Sequence, residues 1–323
     1  MIEKKNLKDA EKNIRKLEKE VDLTLFHTFD WLNILHKTLK INPEIYIFNN
    51  NREITGFVPT FPKKSGIKIH FSPPFSSETA YGGIVCKGNE QKHYEELKKS
   101  IKNFFFVLPE KLKLKGMICE PKYTILTKLD AKNADEHHKR IKKGHRYNIR
   151  KAAKDNILQI KEDYSEKALK QYYDLLKKTY GYKGYKPLPY QFYKEIIAHY
   201  HWKNKCKFLI AYKDKKPIGT ICAIIYKDKL HYWTGGFLRD SEYTKLYPND
   251  VLQWEIIKWG YERKLKVYDM LGADLEGIRR FKLGFGGELV EYTKIFSSKK
   301  LHILSKAYSK AGQRIKTLVR KSS

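Results

Sequence analysis

The chain has 323 residues, 41% of them hydrophobic, which is enough apolar mass for two domains and excludes a disordered chain. Its 66 Lys and Arg stand against 36 Asp and Glu, a formal net charge of +30. Such an excess repels itself unless anions screen it, so it points to a nucleic acid, a nucleotide- or lipid-linked phosphate, or a membrane surface.

The first twenty residues, MIEKKNLKDAEKNIRKLEKE, lack the apolar stretch of a signal peptide and read as a charged surface helix over residues 5–20. FHTFDWLNILHKTL (26–39) predicts a turn and then a helix with Asp30 near its start. Strands are expected at Glu44–Phe48, Glu53–Phe61 and Ile67–Phe71. The Pro- and Gly-punctuated run SPPFSSETAYGGIV is a loop entering a strand at Ile84. A helix over Gln91–Phe105 and strands at Met117–Glu120 and Thr124–Leu129 complete a first domain, residues 1–140. Within it Trp31 and Tyr81 are candidate substrate contacts, although such residues more often pack in a core.

Residues 137–154, HHKRIKKGHRYNIRKAAK, carry eight Lys or Arg and no acid. Helical spacing puts Arg146 and Arg150 on one face, a workable clamp for a phosphate, with Lys151 beside them. A solvated linker helix is the alternative. The alternation then restarts. A strand at Leu158–Glu162 precedes helices at Glu166–Tyr180 and Pro189–His199 and strands at Lys207–Tyr212, Ile218–Tyr226 and Lys229–Phe237. A helix at Asn249–Arg263 leads to a strand at Lys266–Leu271. A strand meander followed by strands and helices in alternation argues for an α/β fold with mixed sheets. The second domain spans residues 141–298 and repeats the element order of the first, so a duplicated domain is expected. Residues 299–323 predict a basic helix with Leu301, Leu304, Tyr308, Ile315 and Leu318 near one face. It fits a membrane surface, RNA or the first domain.

No window approaches the roughly 18 apolar residues that span a bilayer, so membrane contact is expected to be peripheral. Cys86, Cys119, Cys206 and Cys222 lack metal-ligand or C-x-x-C spacing, which implies no metal and a reducing compartment.

The segment YDMLGADLEGIRRFKLGFGGELVEY (268–292) holds the chemistry. A strand runs into Gly272, an acidic turn follows, and a short helix carries Arg279, Arg280, Phe281 and Lys282. Ligands of α/β sheets gather beyond the carboxyl ends of strands, where this segment begins. A fixed Lys beside an aromatic ring can stabilise the oxyanion of acyl transfer, and Phe281 can wall out water. Arg280 is a further candidate for substrate binding. The alternative is an exposed basic helix with a core Phe. No general base stands out; Asp274 and Glu276 are candidates by proximity only.

The same segment closely resembles the C-terminal signature of the Fem family of peptidyltransferases, two-domain relatives of the GNAT acyltransferases. FHTFDWLNIL, YGGIV (81–85), RYNIRKA (146–152) and PNDVLQWEIIKWGYERKL (248–265) extend the likeness over most of the chain in the right order. The resemblance implies tandem GNAT-like domains and amide formation by attack of an amine on an activated ester. It implies aminoacyl-tRNA as donor and a cell-wall precursor carrying a nucleotide or lipid pyrophosphate as acceptor. Phe281 and Lys282 match the family's Phe-Lys pair, whose Lys is placed to stabilise the tetrahedral intermediate. It further implies a cytoplasmic enzyme, with peripheral contact at the inner membrane face through the basic C-terminal helix. GNAT enzymes that use acetyl-CoA hold its pyrophosphate on a Gly-rich loop opening the helix after the fourth strand. That position reads RDSEYTKLYPND, without glycine, so acyl-CoA is the less expected donor and no cofactor is expected. The alternatives are a CoA-dependent N-acetyltransferase and a non-catalytic RNA-binding protein.

Overall fold

Most strands bury alternate or continuous apolar residues, and helices such as α1 (Leu7–Glu20) and α6 (Glu166–Gly181) bury one stripe. The structure is a computed structural model and describes residues 1–307 except 52, 76, 155–157 and 183. Strand β1 (Ile2–Lys5) precedes α1 (Leu7–Glu20), whose first turn is capped by the Asn6 side chain and whose Leu7, Ala10, Ile14 and Leu17 face inward. A 3-10 turn at Leu25–His27 leads to α2 (Phe29–Leu39), capped by Thr28. Strands β2 (Glu44–Asn50), β3 (Glu53–Ser65), β4 (Ile67–Ser72) and β5 (Val85–Cys86) follow. Then come α3 (Glu90–Ser100), β6 (Phe104–Val107) and β7 (Ile118–Lys128). The basic run forms α4 (Ala134–Arg140) and α5 (Lys143–Lys154). After β8 (Gln159–Glu162) stand α6 (Glu166–Gly181) and α7 (Tyr190–Trp202). Strands β9 (Cys206–Lys213), β10 (Lys216–Tyr226) and β11 (Lys229–Phe237) lead to α8 (Ser241–Thr244) and α9 (Pro248–Glu262). Finally β12 (Val267–Asp269), α10 (Glu276–Leu283) and β13 (Glu288–Phe296) close the order.

The chain divides into two compact units, Met1–Lys122 with the segment from Glu291 onward, and Tyr123–Val290. In the first unit β1, β2, β3 and β4 pair in sequence antiparallel, β4 pairs β6 in parallel, and β13 joins β6 antiparallel. Its interior includes Phe48, Val58, Tyr94, Leu97, Phe104 and Phe106, all fully or nearly fully buried. In the second unit the order is β8-β9-β10-β11-β12-β7, antiparallel except for β11 with β12. Helix α6 packs on β10 and β11, and α9 on β9 to β12. The architecture is the expected α/β fold with mixed sheets in two units.

Three boundaries differ from the sequence reading. The helix expected to run to Phe105 stops at Ser100, because Phe104 and Phe106 alternate into the core as a strand and stack at 4.7 Å. The two strands expected around Pro121 are one strand, β7, with that proline inside it. Strand β1 is not expected from the sequence, since its two central residues are exposed Glu and Lys and it gains its place from backbone pairing with β2. Residues 299–307 are helical, and their start docks on the first unit: Leu301 is buried and His302 Nε2 lies 3.1 Å from Glu120. Tyr308, Ile315 and Leu318 lie outside the described residues. Among the described residues no helix is long and apolar enough to cross a membrane.

Candidate active site

Strands β11 and β12 are parallel neighbours only over Lys229–His231 against Val267–Asp269. Past Asp269 the chain stays bonded to β7, with Met270 N on Ile125 O and Ala273 N on Tyr123 O at 2.9 Å each, while β11 continues to Phe237 paired with β10. The two strands therefore part at their carboxyl ends, where α/β sheets admit ligands. Leu271 and Gly272 turn through positive φ, 50° and 37°, and present successive carbonyls to α10. Lys282 Nζ donates to Met270 O at 2.6 Å, to Gly272 O at 2.9 Å and to Leu271 O. Arg279 Nε donates to Ala273 O at 2.8 Å. On its other side the Lys282 ammonium stands 5.3 Å from the ring centroid of Tyr232, on β11. Burial pushes the Tyr232 hydroxyl up to about 12, so it keeps its proton. Lys282 is thus a buried cation in the parting of β11 and β12, with three carbonyls for its three donors. An oxygen developing negative charge there is met by a fixed positive charge and can replace one carbonyl.

Phe281, half-buried on the same helix, stands edge-on to His145 at 5.2 Å and to Phe285 at 5.2 Å. His145 Nδ1 lies 2.6 Å from Asp250 Oδ1, and Asn148 Nδ2 donates to the same oxygen at 3.0 Å. Asp250 sits in the first turn of α9, where the helix dipole favours a carboxylate. A carboxylate only accepts, so Nδ1 of a neutral His145 carries the proton and Nε2 keeps the lone pair. Tyr247 opens α9 at φ 58°, Pro248 has no N–H, and the amides of Asp250 and Val251 are spent on Tyr247 O. The start of this helix is therefore filled by the chain's own carboxylate and offers few free amides.

Gly284 makes this arrangement possible. A Cβ there would fall 2.2 Å from both Cδ2 and Nε2 of His145, a ring already pinned to Asp250. Gly284→Ala is expected to push the ring off the carboxylate and to cost about 1–3 kcal/mol, read as a lower urea midpoint.

Sequence reasoning named Lys282 and Phe281; the structure puts Lys282 at the parting of β11 and β12 and packs Phe281 against His145 and Phe285. It missed His145 and Asp250, which are 105 positions apart and meet only through the packing of α5 on α9. The available signal was an acid in the first turn of the helix ahead of the signature strand. Arg146 is half-buried and its Nη1 donates to Lys139 O at 3.2 Å, bridging α4 and α5. Its Nε is buried with no hydrogen-bond partner among the described residues. Arg146 and Arg150 both lie near His138, whose pKa is pushed down first by burial and then by these two charges. Arg150 and Lys151 are exposed, on a face of α5 that also carries Lys143, Lys154 and a 55% exposed Tyr147. Arg280, Asp274 and Glu276 are exposed on or before α10. Trp31 and Tyr81 belong to the first unit and pack in its interior. Trp31 is fully buried against Phe26 with Nε1 donating to Thr79 Oγ1 at 3.1 Å, and Tyr81 packs between Phe26 and Tyr292.

Residues 139–283 match the family described as an acetyltransferase (GNAT) domain. Among solved structures the chain is similar to FemX, at 15% identity and a TM-score of 0.65 over 94% of this chain and 99% of that one. It is also similar to the C-terminal domain of a protein assigned as a lysylphosphatidylglycerol synthetase from Agrobacterium fabrum, at 11% identity and a TM-score of 0.58 over 93% and 96% of the two chains. A tandem GNAT protein from the clavulanic acid biosynthesis pathway shares the fold at 7% identity and a TM-score of 0.53, over 92% and 99%. Among curated protein sequences none matches. Residues 139–283 thus match an acetyltransferase (GNAT) domain, and the chain as a whole shares its fold with FemX and with a tandem GNAT protein.

Proposed function

We propose that the protein moves an amino acid, activated as its tRNA ester, onto an amine of a phosphate-containing, nucleotide- or lipid-linked acceptor. The observation that carries the choice of donor is the start of α9. A CoA pyrophosphate needs free amides and a positive local field at that helix end. Here the Asp250 carboxylate, Pro248 and the bonded amides of the first turn leave it neither. A tRNA ester brings its own phosphates, and the outward face of α5 supplies four cations around an exposed tyrosine, a pattern that suits a polyanion with stacking bases. The partly buried Arg146 adds an unpartnered Nε beside that face.

In this reading the acceptor amine attacks the ester carbonyl, the oxyanion develops against the Lys282 ammonium, and Phe281 shields the reacting atoms from water. The work belongs in the cytoplasm, at the inner membrane face where the acceptor is lipid-linked. A CoA-dependent N-acetyltransferase is the second reading, favoured by the match of residues 139–283 to an acetyltransferase domain.

The experiment is filter binding and transfer with a mixed pool of radiolabelled aminoacyl-tRNAs, with labelled acetyl-CoA in parallel. Retention of an aminoacyl-tRNA and passage of its label to an amine support the first reading; reaction of acetyl-CoA alone supports the second. The double variant Arg150→Glu with Lys151→Glu is expected to weaken tRNA retention at least about tenfold. It should also lower the slope of log affinity against log salt by roughly 0.7–0.9 for each phosphate no longer neutralised. An unchanged slope removes α5 from the binding face.

A further inference from the structure

We propose that His145 is the proton acceptor of the transfer step and that Asp250 is the residue that positions it. This rests on acyl transfer to an amine, the reaction proposed above, and holds for an ester or a thioester donor alike. An amine is protonated near neutral pH and must lose a proton to attack, and Asp274 and Glu276 are both exposed at the opening of α10. The His145–Asp250 pair has what those acids lack. Its Nδ1 is held at 2.6 Å by a carboxylate that is itself buried, fixed by Asn148 and seated in the first turn of α9. Its ring is clamped between Phe281, Phe285 and the Gly284 backbone. The Nε2 edge, left with the lone pair, has no hydrogen-bond partner among the described residues and lies against the backbone of Gly284, which ends the helix that carries Phe281 and Lys282.

The groups around the ring are few. From α9 it faces Asp250. From α10 and the turn after it come only the two phenyl rings and Gly284. On α5 its sequence neighbour Arg146 is turned to the Lys139 carbonyl. A base oriented by a carboxylate and stacked among aromatic rings accepts a proton without reorganising its surroundings.

In the transfer step the ammonium of the acceptor gives its proton to His145 Nε2, the freed amine nitrogen bonds to the carbonyl carbon, and the carbonyl π pair moves to the oxygen facing Lys282. When the intermediate collapses, the bond from carbon to the leaving oxygen or sulfur breaks, the leaving atom takes the proton that the nitrogen sheds, and the imidazolium releases its own to water.

The test uses the full chain, the two donor pools above, and two small amines as acceptors, strongly basic ethanolamine and weakly basic hydroxylamine. His145→Gln keeps a side chain that can bond Asp250 but cannot take the proton. With ethanolamine its kcat is expected to fall by about 100-fold while KM changes less than about threefold. With hydroxylamine, already unprotonated, the loss is expected to be about tenfold or less, since less of the rate depends on the base. Should His145→Gln not fold, Asp250→Asn carries the same comparison, with a smaller loss and the same difference between the two amines. Equal losses with both amines, or a kcat within about threefold of wild type, overturn the proposal and leave a structural tie between α5 and α9. If only acetyl-CoA serves as donor, the tRNA reading fails while the His145 comparison proceeds on that donor.

Discussion

Lys282→Met is expected to lose transfer activity by about 100- to 1,000-fold and to lose stability by roughly 3–5 kcal/mol in the same protein. The stability arm follows from the carbonyls. Met270, Leu271 and Gly272 each direct an oxygen at one ammonium, and a thioether of similar length leaves all three without that donor, the Met270 oxygen in a buried place and the other two in partly open ones. The turn also holds Leu271 at φ 50°, a conformation that costs a non-glycine residue about 1–2 kcal/mol and relies on such contacts. The activity arm follows from charge, because an oxyanion in the parting of β11 and β12 then meets no cation. Lys282→Arg restores charge but not geometry, since a planar fork cannot place three donors on three converging carbonyls, so it is expected to fall between the two. Urea unfolding gives the first arm, and transfer assayed well below the midpoint gives the second. A Met variant that is destabilised yet transfers within about tenfold of wild type makes Lys282 a structural cation and moves the oxyanion elsewhere.

Legibility in the sequence follows the range of the interaction. Strands β9, β10 and β11 are visible because their burial is continuous and turn residues separate them, α6 because its apolar stripe repeats locally, and α9 because a long run rich in apolar residues follows Pro248. The Lys282 position is visible as a residue beside Phe281 in a marked segment. Its partners are not, because they are carbonyls aimed by the dihedrals of Leu271 and Gly272, and no side-chain pattern records those. The meeting of His145 with Asp250 depends on α5 lying across α9, which is a fact of tertiary packing. The end of α3 is misplaced in the sequence reading for a related reason. A run of three phenylalanines satisfies both periods, and only the core decides that Phe104 and Phe106 point the same way. Trp31 and Tyr81, candidate contacts for which core packing is the commoner expectation, fill the first unit's interior.

Acidification is expected to destabilise the first unit steeply below neutral pH, through two histidines buried in the neutral form. His27 is 1% exposed, and burial pushes its pKa down to about 4. His70 is also pushed down to about 4, chiefly by burial, with Glu44 opposing the shift and Lys68 and Lys4 adding to it. Its ring lies 3.1 Å from Thr60 Oγ1 and 3.7 Å from Glu44. Both folded values lie below the ordinary 6.5, so the unfolded chain binds more protons between those limits. Stability from these groups is therefore intact above about pH 6.5 and is lost as pH falls towards about 4, at up to 1.4 kcal/mol per pH unit for each histidine. By pH 5 His27 alone accounts for about 2 kcal/mol, and His70, nearer the surface and facing a carboxylate, for less. Self-repulsion of a chain with a net charge of +30 acts in the same direction, but added salt screens it over distances of about 10 Å or less. Protonation of a buried imidazole is not relieved in that way. Urea midpoints measured from pH 7.5 to 5 at low and high salt separate the two causes, and His27→Gln should flatten the part of the slope that survives salt. A slope abolished by salt, or one identical in His27→Gln and wild type, assigns the acid sensitivity to surface charge instead.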